Sequence, residues 1–262
     1  MEAQILTQAL TGVRVLVTRP AHQAEHLASL IEQHGGSAIR FPTLAIMARD
    51  ELDSIRQTLA NLDAYQWLIF ISANAVNFAL KANDGKIDRN KTVRFAAVGQ
   101  ATAQAMISAG LVVDILPENG YNSEALLAMP ALQQVDGQQC LIVRGEGGRE
   151  QLATTLRSRG AKVNYLEVYK RIIPRIDSSP VVNLLVQQQL DVITITSAEA
   201  LQNLSLMLGE AYHQRLSLIP LVVVSERIRG IAADMGFKRI AVTDSPIDTA
   251  ILETVITCVT GE

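Results

Sequence analysis

VLVTRPAHQAEHLASLIEQHGG, Val15 to Gly36, lies over CLIVRGEGGREQLATTLRSRGA, Cys140 to Ala161, and pairs Arg19 with Arg144, Leu27 with Leu152 and Gly35 with Gly160 at an offset of 125 residues. At the same offset WLIFISANAV (Trp67 to Val76) meets VITITSAEAL (Val192 to Leu201), setting Ser72 on Ser197 and Ala75 on Ala200. FAAVGQATAQAMISAG (Phe95 to Gly110) meets LVVVSERIRGIAADMG (Leu221 to Gly236) at 126, and Ser123 then falls on Thr249. One such pairing can arise by chance. Three blocks in one order at nearly one offset indicate a duplicated unit.

Each block has the same grammar: a short apolar, β-branched run, a polar turn, then a helical pattern that stops at glycine. Val13–Thr18, Trp67–Ile71, Phe95–Val98, Cys140–Val143, Val192–Thr196 and Leu221–Val224 read as strands buried on both faces, hence parallel. The helices that follow end near Gly35, Gly110, Gly160 and Gly236, because glycine adopts the left-handed conformation after a helix at least cost. Strand and helix alternating throughout predicts an α/β protein with parallel sheets. Ligands of such sheets bind beyond the carboxyl ends of the strands. The turns Thr18–Arg19–Pro20, Ile71–Ser72–Ala73, Val143–Arg144–Gly145 and Thr196–Ser197–Ala198 are expected there.

A length of 262 residues suits two domains, and 48% hydrophobic with 19% charged residues is ample for buried cores. A net charge of −3 provides no basic footprint for nucleic acid. The start, MEAQILTQALTG, lacks a basic leader region, and no apolar run approaches a membrane span, so a cytoplasmic location without membrane contact is expected. Cys140 and Cys258 form no C-x-x-C pattern; Cys140 reads as a core strand residue.

The stretch LIVRGEGGRE, Leu141 to Glu150, has the outline of a phosphate loop but not its chemistry. Arg149 and Glu150 follow the last glycine where a P-loop needs Lys and Ser/Thr, and Gly145-x-Gly147-Gly148 is not the dinucleotide fingerprint. A simpler reading covers all four turns. Ser72 and Ser197 cap helices whose first amides can receive an anion, while Arg19 and Arg144 add positive charge at equivalent edges. The bland alternative is that the serines only cap and the arginines only pair with carboxylates. His22 and His26 have the i, i+4 spacing of two metal ligands, but no acidic or thiol partner is fixed beside them, and no metal site is expected. Ser72 and Ser197 lie in no G-x-S-x-G elbow.

In order and spacing, VLVTRP, FISANAV, FAAVGQATA, LIVRGEGGRE, LEVYKR, TITSAEAL and VVVSERI together resemble uroporphyrinogen-III synthase, over essentially the whole chain. Many members carry a Gly-x-x-Thr turn after the late strand. Here Ser225-Glu226-Arg227-Ile228 stands in its place, similar to gamma-proteobacterial members, and any role of that family threonine is left unassigned. The resemblance implies two α/β domains joined by two extended linkers and not following the repeats. The expected first domain is 1–44 plus 174–262, the second 47–168, with linkers at about 45–46 and 169–173 around the equivalent positions Leu44 and Tyr169. Such a hinge lets a cleft open and close.

The implied reaction is cyclisation of hydroxymethylbilane, a linear tetrapyrrole with eight carboxylates, with loss of water and inversion of the last ring, in haem and sirohaem biosynthesis. No cofactor is implied. A transient handover from the preceding bilane synthase is an expectation of the same kind. Because the bilane closes spontaneously to the uninverted isomer I, holding its two ends outweighs acid–base power. Tyr169 matches a family tyrosine presented to the cleft, where it aids the leaving hydroxide or orients an end ring; without the resemblance it reads as a half-buried strand aromatic. Thr102 matches a family threonine near the cleft; Asn74 and Ser123 are candidate helix-start donors, and Arg19, Ser72, Arg144, Ser197 and Ser225 complete the expected binding set. Two other functions fit the residues: a non-catalytic module closing on an anionic small molecule, and a nucleotide-dependent transferase, which the defective glycine motifs disfavour.

Overall fold

The structure, a computed structural model, describes residues 8–89, 92–118, 120 and 122–261. Residues 1–7, where the expected first domain begins, lie outside the described residues. In chain order the elements are β1 (Arg14–Val17), α1 (Ala21–Gln33), β2 (Ser37–Arg40), β3 (Ala45–Ala48), α2 (Leu52–Ala60), β4 (Trp67–Phe70), α3 (Ala73–Ala82), β5 (Arg94–Ala97) and α4 (Gln100–Ser108). After these come α5 (Ser123–Ala128), α6 (Pro130–Gln133), β6 (Gln139–Gly145), α7 (Gln151–Ser158), β7 (Lys162–Ile172), α8 (Ser179–Val186), β8 (Val192–Ile195) and α9 (Ala198–Leu208). The chain closes with α10 (His213–Leu216), β9 (Leu221–Val223), α11 (Glu226–Asp234), β10 (Ile240–Val242) and α12 (Asp248–Thr260). Among the described residues no helix is long and apolar enough to cross a membrane.

The chain forms two compact units, one running to Ala45 and resuming at Ile172, the other spanning Ile46–Arg171. The first unit holds a parallel sheet in the order β10-β9-β8-β1-β2. The second holds β3-β7-β6-β4-β5, with β7, β6, β4 and β5 mutually parallel. Under the repeat offset, β9-β8-β1-β2 corresponds strand for strand to β5-β4-β6-β7. Each sheet therefore takes the first half of one repeat and the second half of the other. The correspondence extends to register: the isolated parallel bridge Ala96↔Ile115 is carried by 126 residues onto the pair Val222↔Ala241 of β9 and β10.

Burial on both faces explains the unbroken apolar runs. In β1, Leu16 packs on one face with Ile193, Ile195 and Leu201, while Val15 and Val17 pack on the other with Val192, Leu27 and Ile251. In β4, Leu68 and Phe70 serve one core and Trp67 and Ile69 the other. Each such side chain contributes about 1.5–3 kcal/mol by leaving water. Gly35, Gly110, Gly160 and Gly236, beyond the ends of α1, α4, α7 and α11, have φ of +82°, +73°, +86° and +93°, the left-handed conformation expected after a helix.

The two copies differ where the linkers were expected. Pro42 follows β2 and cannot donate to a sheet ladder, so the chain breaks before β3. Its repeat equivalent is Glu167, and β7 runs on through it to Ile172. Tyr169 to Arg171 are consequently strand residues of the second unit rather than part of a free linker; Gly145 pairs with Tyr169 across a bulge, and Glu146 N–H donates to the Tyr169 carbonyl at 2.7 Å.

Candidate functional site

In the second unit the carboxyl ends of four parallel strands surround a pocket of about 380 Å³. Ile71 follows β4, Val98 follows β5, Arg144 and Gly145 end β6, and Tyr169 and Arg171 lie late in β7; all line it, with Asn122, Ser123, Tyr165 and the loop residues Gly147, Gly148 and Arg149. A second hollow of about 420 Å³ shares Ile71 and Val98 and reaches Ser72 and Gly99–Thr102. Two helices start here. Ser72 caps α3, its Oγ accepting from Ala75 N–H at 3.1 Å. Gly99 precedes α4 with no side-chain cap, whereas its repeat equivalent Ser225 caps α11 from 3.4 Å. The first amides of α4 thus lack the hydroxyl that their counterparts have, the arrangement that receives an anion.

Arg144 departs from expectation. Its side chain is only 3% exposed and is internally committed: Nη1 donates to Glu150 Oε1 at 2.9 Å, Nε donates to the Gly145 carbonyl at 3.1 Å, and Glu167 Oε1 lies 3.9 Å from Nε. The guanidinium sits 4.4 Å from the Tyr165 ring centroid, and the Tyr165 hydroxyl donates to the other oxygen of Glu150. Bonds from Tyr165 and then from Arg144 hold the Glu150 carboxyl below its usual range. Burial, reinforced by the bond to Glu150, raises the Tyr165 phenol. An arginine this deep needs such partners, because an unpaired buried charge is costly. The uncommitted cations of the pocket are Arg149 and Arg171, both exposed, which form no ion pair among the described residues.

Tyr169 is more buried than either reading of the sequence implied, at 2% exposure. Its ring lies 5.6 Å from that of Phe78 and its hydroxyl 3.2 Å from Ser72 Oγ. Gly145 is the reason it fits: a Cβ there would stand 2.5 Å from Tyr169 Cζ and 2.9 Å from Cδ2. The phenol is therefore wedged between a bare backbone and a helix cap, with the pocket on its remaining side.

The equivalent edge of the first unit is satisfied from within. Ser197 Oγ accepts from Ala200 N–H at 3.0 Å. Arg19 pairs with Asp248 and donates to the Pro246 carbonyl at 3.0 Å, so it is not an open anion contact. Thr18 Oγ1 donates to the Thr194 carbonyl at 2.7 Å, and Asn203 Nδ2 to the Thr43 carbonyl at 2.8 Å. The polar groups buried there have protein partners, as buried groups must.

The profile of the family described as Uroporphyrinogen-III synthase HemD matches residues 25–253. Uroporphyrinogen-III synthase of Escherichia coli (strain K12) is 33% identical over 91% of this chain and 98% of its own length. The chain belongs to the uroporphyrinogen-III synthase family. The enzyme of Salmonella typhimurium is 34% identical over 91% of this chain and 98% of its own. A mutant uroporphyrinogen III synthase of the extremely thermophilic bacterium Thermus thermophilus shares the fold with a TM-score of 0.66 at 18% identity, covering 95% of this chain and 100% of that one. The synthetase of Helicobacter pylori 26695 does so with a TM-score of 0.59 at 14% identity, covering 94% and 99%.

Within this uroporphyrinogen-III synthase fold the expected residues divide by unit. Ser72, Thr102, Ser123, Arg144 and Tyr169 gather on the second unit's pocket and adjoining hollow, and Asn74 lies in the first turn of α3. Arg19, Ser197 and Ser225 belong to the first unit. Thr102 is buried, and Ser123 is preceded by the true cap of α5, Asn122, whose Oδ1 accepts from Ala125 N–H. Sequence reasoning passed over Arg149, Arg171, Tyr165 and Glu150. All but Tyr165 stand in motifs already singled out, GEGGRE and LEVYKR, whose remaining charges carried the signal.

Proposed function

We propose that the chain is a uroporphyrinogen-III synthase in activity as in family: a cyclising lyase that converts hydroxymethylbilane to uroporphyrinogen III and water, in the cytoplasm. The observation that carries this reading is the family match across most of the chain, together with an arginine-bearing pocket at the strand ends. The substrate is polyanionic, and the protein's net charge is −3, so its attraction has to be local. Arg149, Arg171 and the uncapped start of α4 supply that local positive field and take carboxylates of the bilane.

The residues present favour positioning over proton transfer. Carbon–oxygen cleavage releases hydroxide from one end of the bilane and the other end ring attacks the exposed methylene through its substituted carbon; the old bond from that carbon to the chain breaks and re-forms at the ring's free carbon, and the proton lost there joins the hydroxide as water. On this reading the Tyr169 hydroxyl, 3.2 Å from Ser72 Oγ, accompanies the departing oxygen. Catalysis then amounts to holding the two ends so that the inverted closure outruns the spontaneous one. The test is direct: freshly prepared hydroxymethylbilane is supplied and the product isomers are resolved. Isomer III is expected in excess. Isomer I alone, at the uncatalysed rate, removes the proposal and leaves the non-catalytic anion-binding module.

A further inference from the structure

A carboxylate stands beside the pocket, bonded to two of the residues that line it. Glu150 holds both of its oxygens on pocket groups, Oε1 on Arg144 Nη1 and Oε2 on the Tyr165 hydroxyl, yet its side chain is 57% exposed. A carboxylate grasped by a buried guanidinium and a phenol while still facing solvent is placed as a bound anion would be. Its attachment is local. It directly precedes α7, makes no side-chain cap, and follows Gly147 and Gly148, whose φ of +67° and +109° fold the loop over the guanidinium. A Cβ on Gly148 would lie 3.2 Å from Arg144 Nη2.

Exchange of this carboxylate for another is electrostatically cheap. Removing Glu150 alone would leave a 3% exposed arginine with Glu167, at 3.9 Å, as its one carboxylate among the described residues, which is costly. Replacing it by an incoming carboxylate conserves the charge-assisted bonds to Arg144 and Tyr165. Arg149, adjacent in sequence, exposed and outside any ion pair among the described residues, is available to the same anion or to the released Glu150.

We propose that Glu150 is an intramolecular competitor that occupies on Arg144 and Tyr165 the place of a ligand carboxylate, and that it sets the affinity of the pocket by having to be displaced. This rests on the reading of the pocket as a receiver of tetrapyrrole carboxylates. The consequence is selectivity: a ligand enters only with a carboxylate that can replace Glu150, and a neutral group of the same size does not.

The experiment compares the full-length parent with Glu150→Gln, which keeps size and one acceptor for Arg144 but removes the competing charge. Uroporphyrin III, a stable octacarboxylate, is titrated by fluorescence, hydroxymethylbilane turnover is measured in parallel, and a melting curve accompanies both. The Kd for uroporphyrin III is expected to fall about 3–10-fold, less than the tenfold to hundredfold span of a full charge-assisted bond, and the gain in turnover is expected in KM. Loss of a nearby negative charge favours an anion by itself, so the gain must exceed that of Glu146→Gln, whose carboxylate in the same loop is held by Arg49 instead; an unchanged or weaker Kd in Glu150→Gln, or an equal gain in Glu146→Gln, overturns the proposal. Arg144→Lys separates the two layers of inference. If that variant weakens uroporphyrin binding while Glu150→Gln does not strengthen it, competition is refuted and the pocket stands. If Arg144→Lys leaves Kd and KM at parental values, the pocket itself is misassigned and the competitor falls with it.

Discussion

Gly145→Ala tests the placement of Tyr169 through a residue with no chemistry of its own. The added Cβ would clash with Tyr169 Cε2 and lie 2.5 Å from Cζ and 2.9 Å from Cδ2, where ordinary contact begins at 3.4 Å, so the ring has to retreat by about 1.1 Å. The ring is 2% exposed, and its retreat is opposed by Phe78 at 5.6 Å between centroids. Overpacking of this kind costs about 1–3 kcal/mol. The hydroxyl, now 3.2 Å from Ser72 Oγ, would move beyond hydrogen-bonding distance, adding about 1 kcal/mol. Calorimetry should show the transition of the second unit falling by about 6–20 °C for these about 2–4 kcal/mol, and turnover of hydroxymethylbilane should fall with it. In a Tyr169→Ala background the same alanine should cost little, because the clash is gone; the cycle should show a coupling of about 1–3 kcal/mol. A Gly145→Ala protein with parental melting and turnover, or additive costs in the cycle, would refute the wedge.

Tyr169→Phe keeps the ring and removes only the bond to Ser72, so stability should fall by about 0.5–1.5 kcal/mol while turnover falls on the order of 10²-fold, the residual product remaining isomer III; single-turnover kinetics with isomer analysis checks it. Ser197→Ala removes the cap on Ala200 N–H and should cost about 1 kcal/mol of stability in denaturant titration; parental stability with weakened substrate capture would instead make Ser197 a ligand contact. Burial pushes the Cys140 thiol up to about 11, so at pH 8 it stays protonated and iodoacetamide should label it only after unfolding. The sign is that of a group neutral in the fold: this thiol's contribution to stability is complete below its unfolded range near pH 8.5 and declines as pH rises toward 11.

The strands that were legible from sequence are those covered on both faces. Trp67–Phe70 and Val192–Ile195 are buried at every position, so their apolar runs carry no ambiguity. Ser37–Arg40 and Ile240–Val242, at the outer edges of the first sheet, are only partly covered, and SAIR and IAV offer neither a run nor an alternation long enough to mark. The helix-capping roles of Ser72 and Ser197 were legible because capping is settled locally, between Ser72 and Ala75 and between Ser197 and Ala200. The commitment of Arg144 was not. Its partners stand at 150, 165 and 167, and only the return of β7 alongside β6 brings Tyr165 and Glu167 to it. Tyr169 likewise owes its burial to a bulge after Arg144 that aligns it with Gly145, a register no local pattern encodes.

The exchange of halves between the repeats also orders events in time. Everything in the sheet of the second unit lies within one continuous stretch, Ala45 to Ile172, so its core can close as soon as that stretch has emerged from the ribosome. The first unit has no such freedom. Arg14, at the head of β1, meets Asp191 across a separation of 177 residues, which at 5–20 residues per second is a wait on the order of 10–35 s. During that interval Val15, Leu16 and Val17 have β2 on one flank but not β8 on the other, leaving an apolar strand edge exposed while its neighbour is still being made.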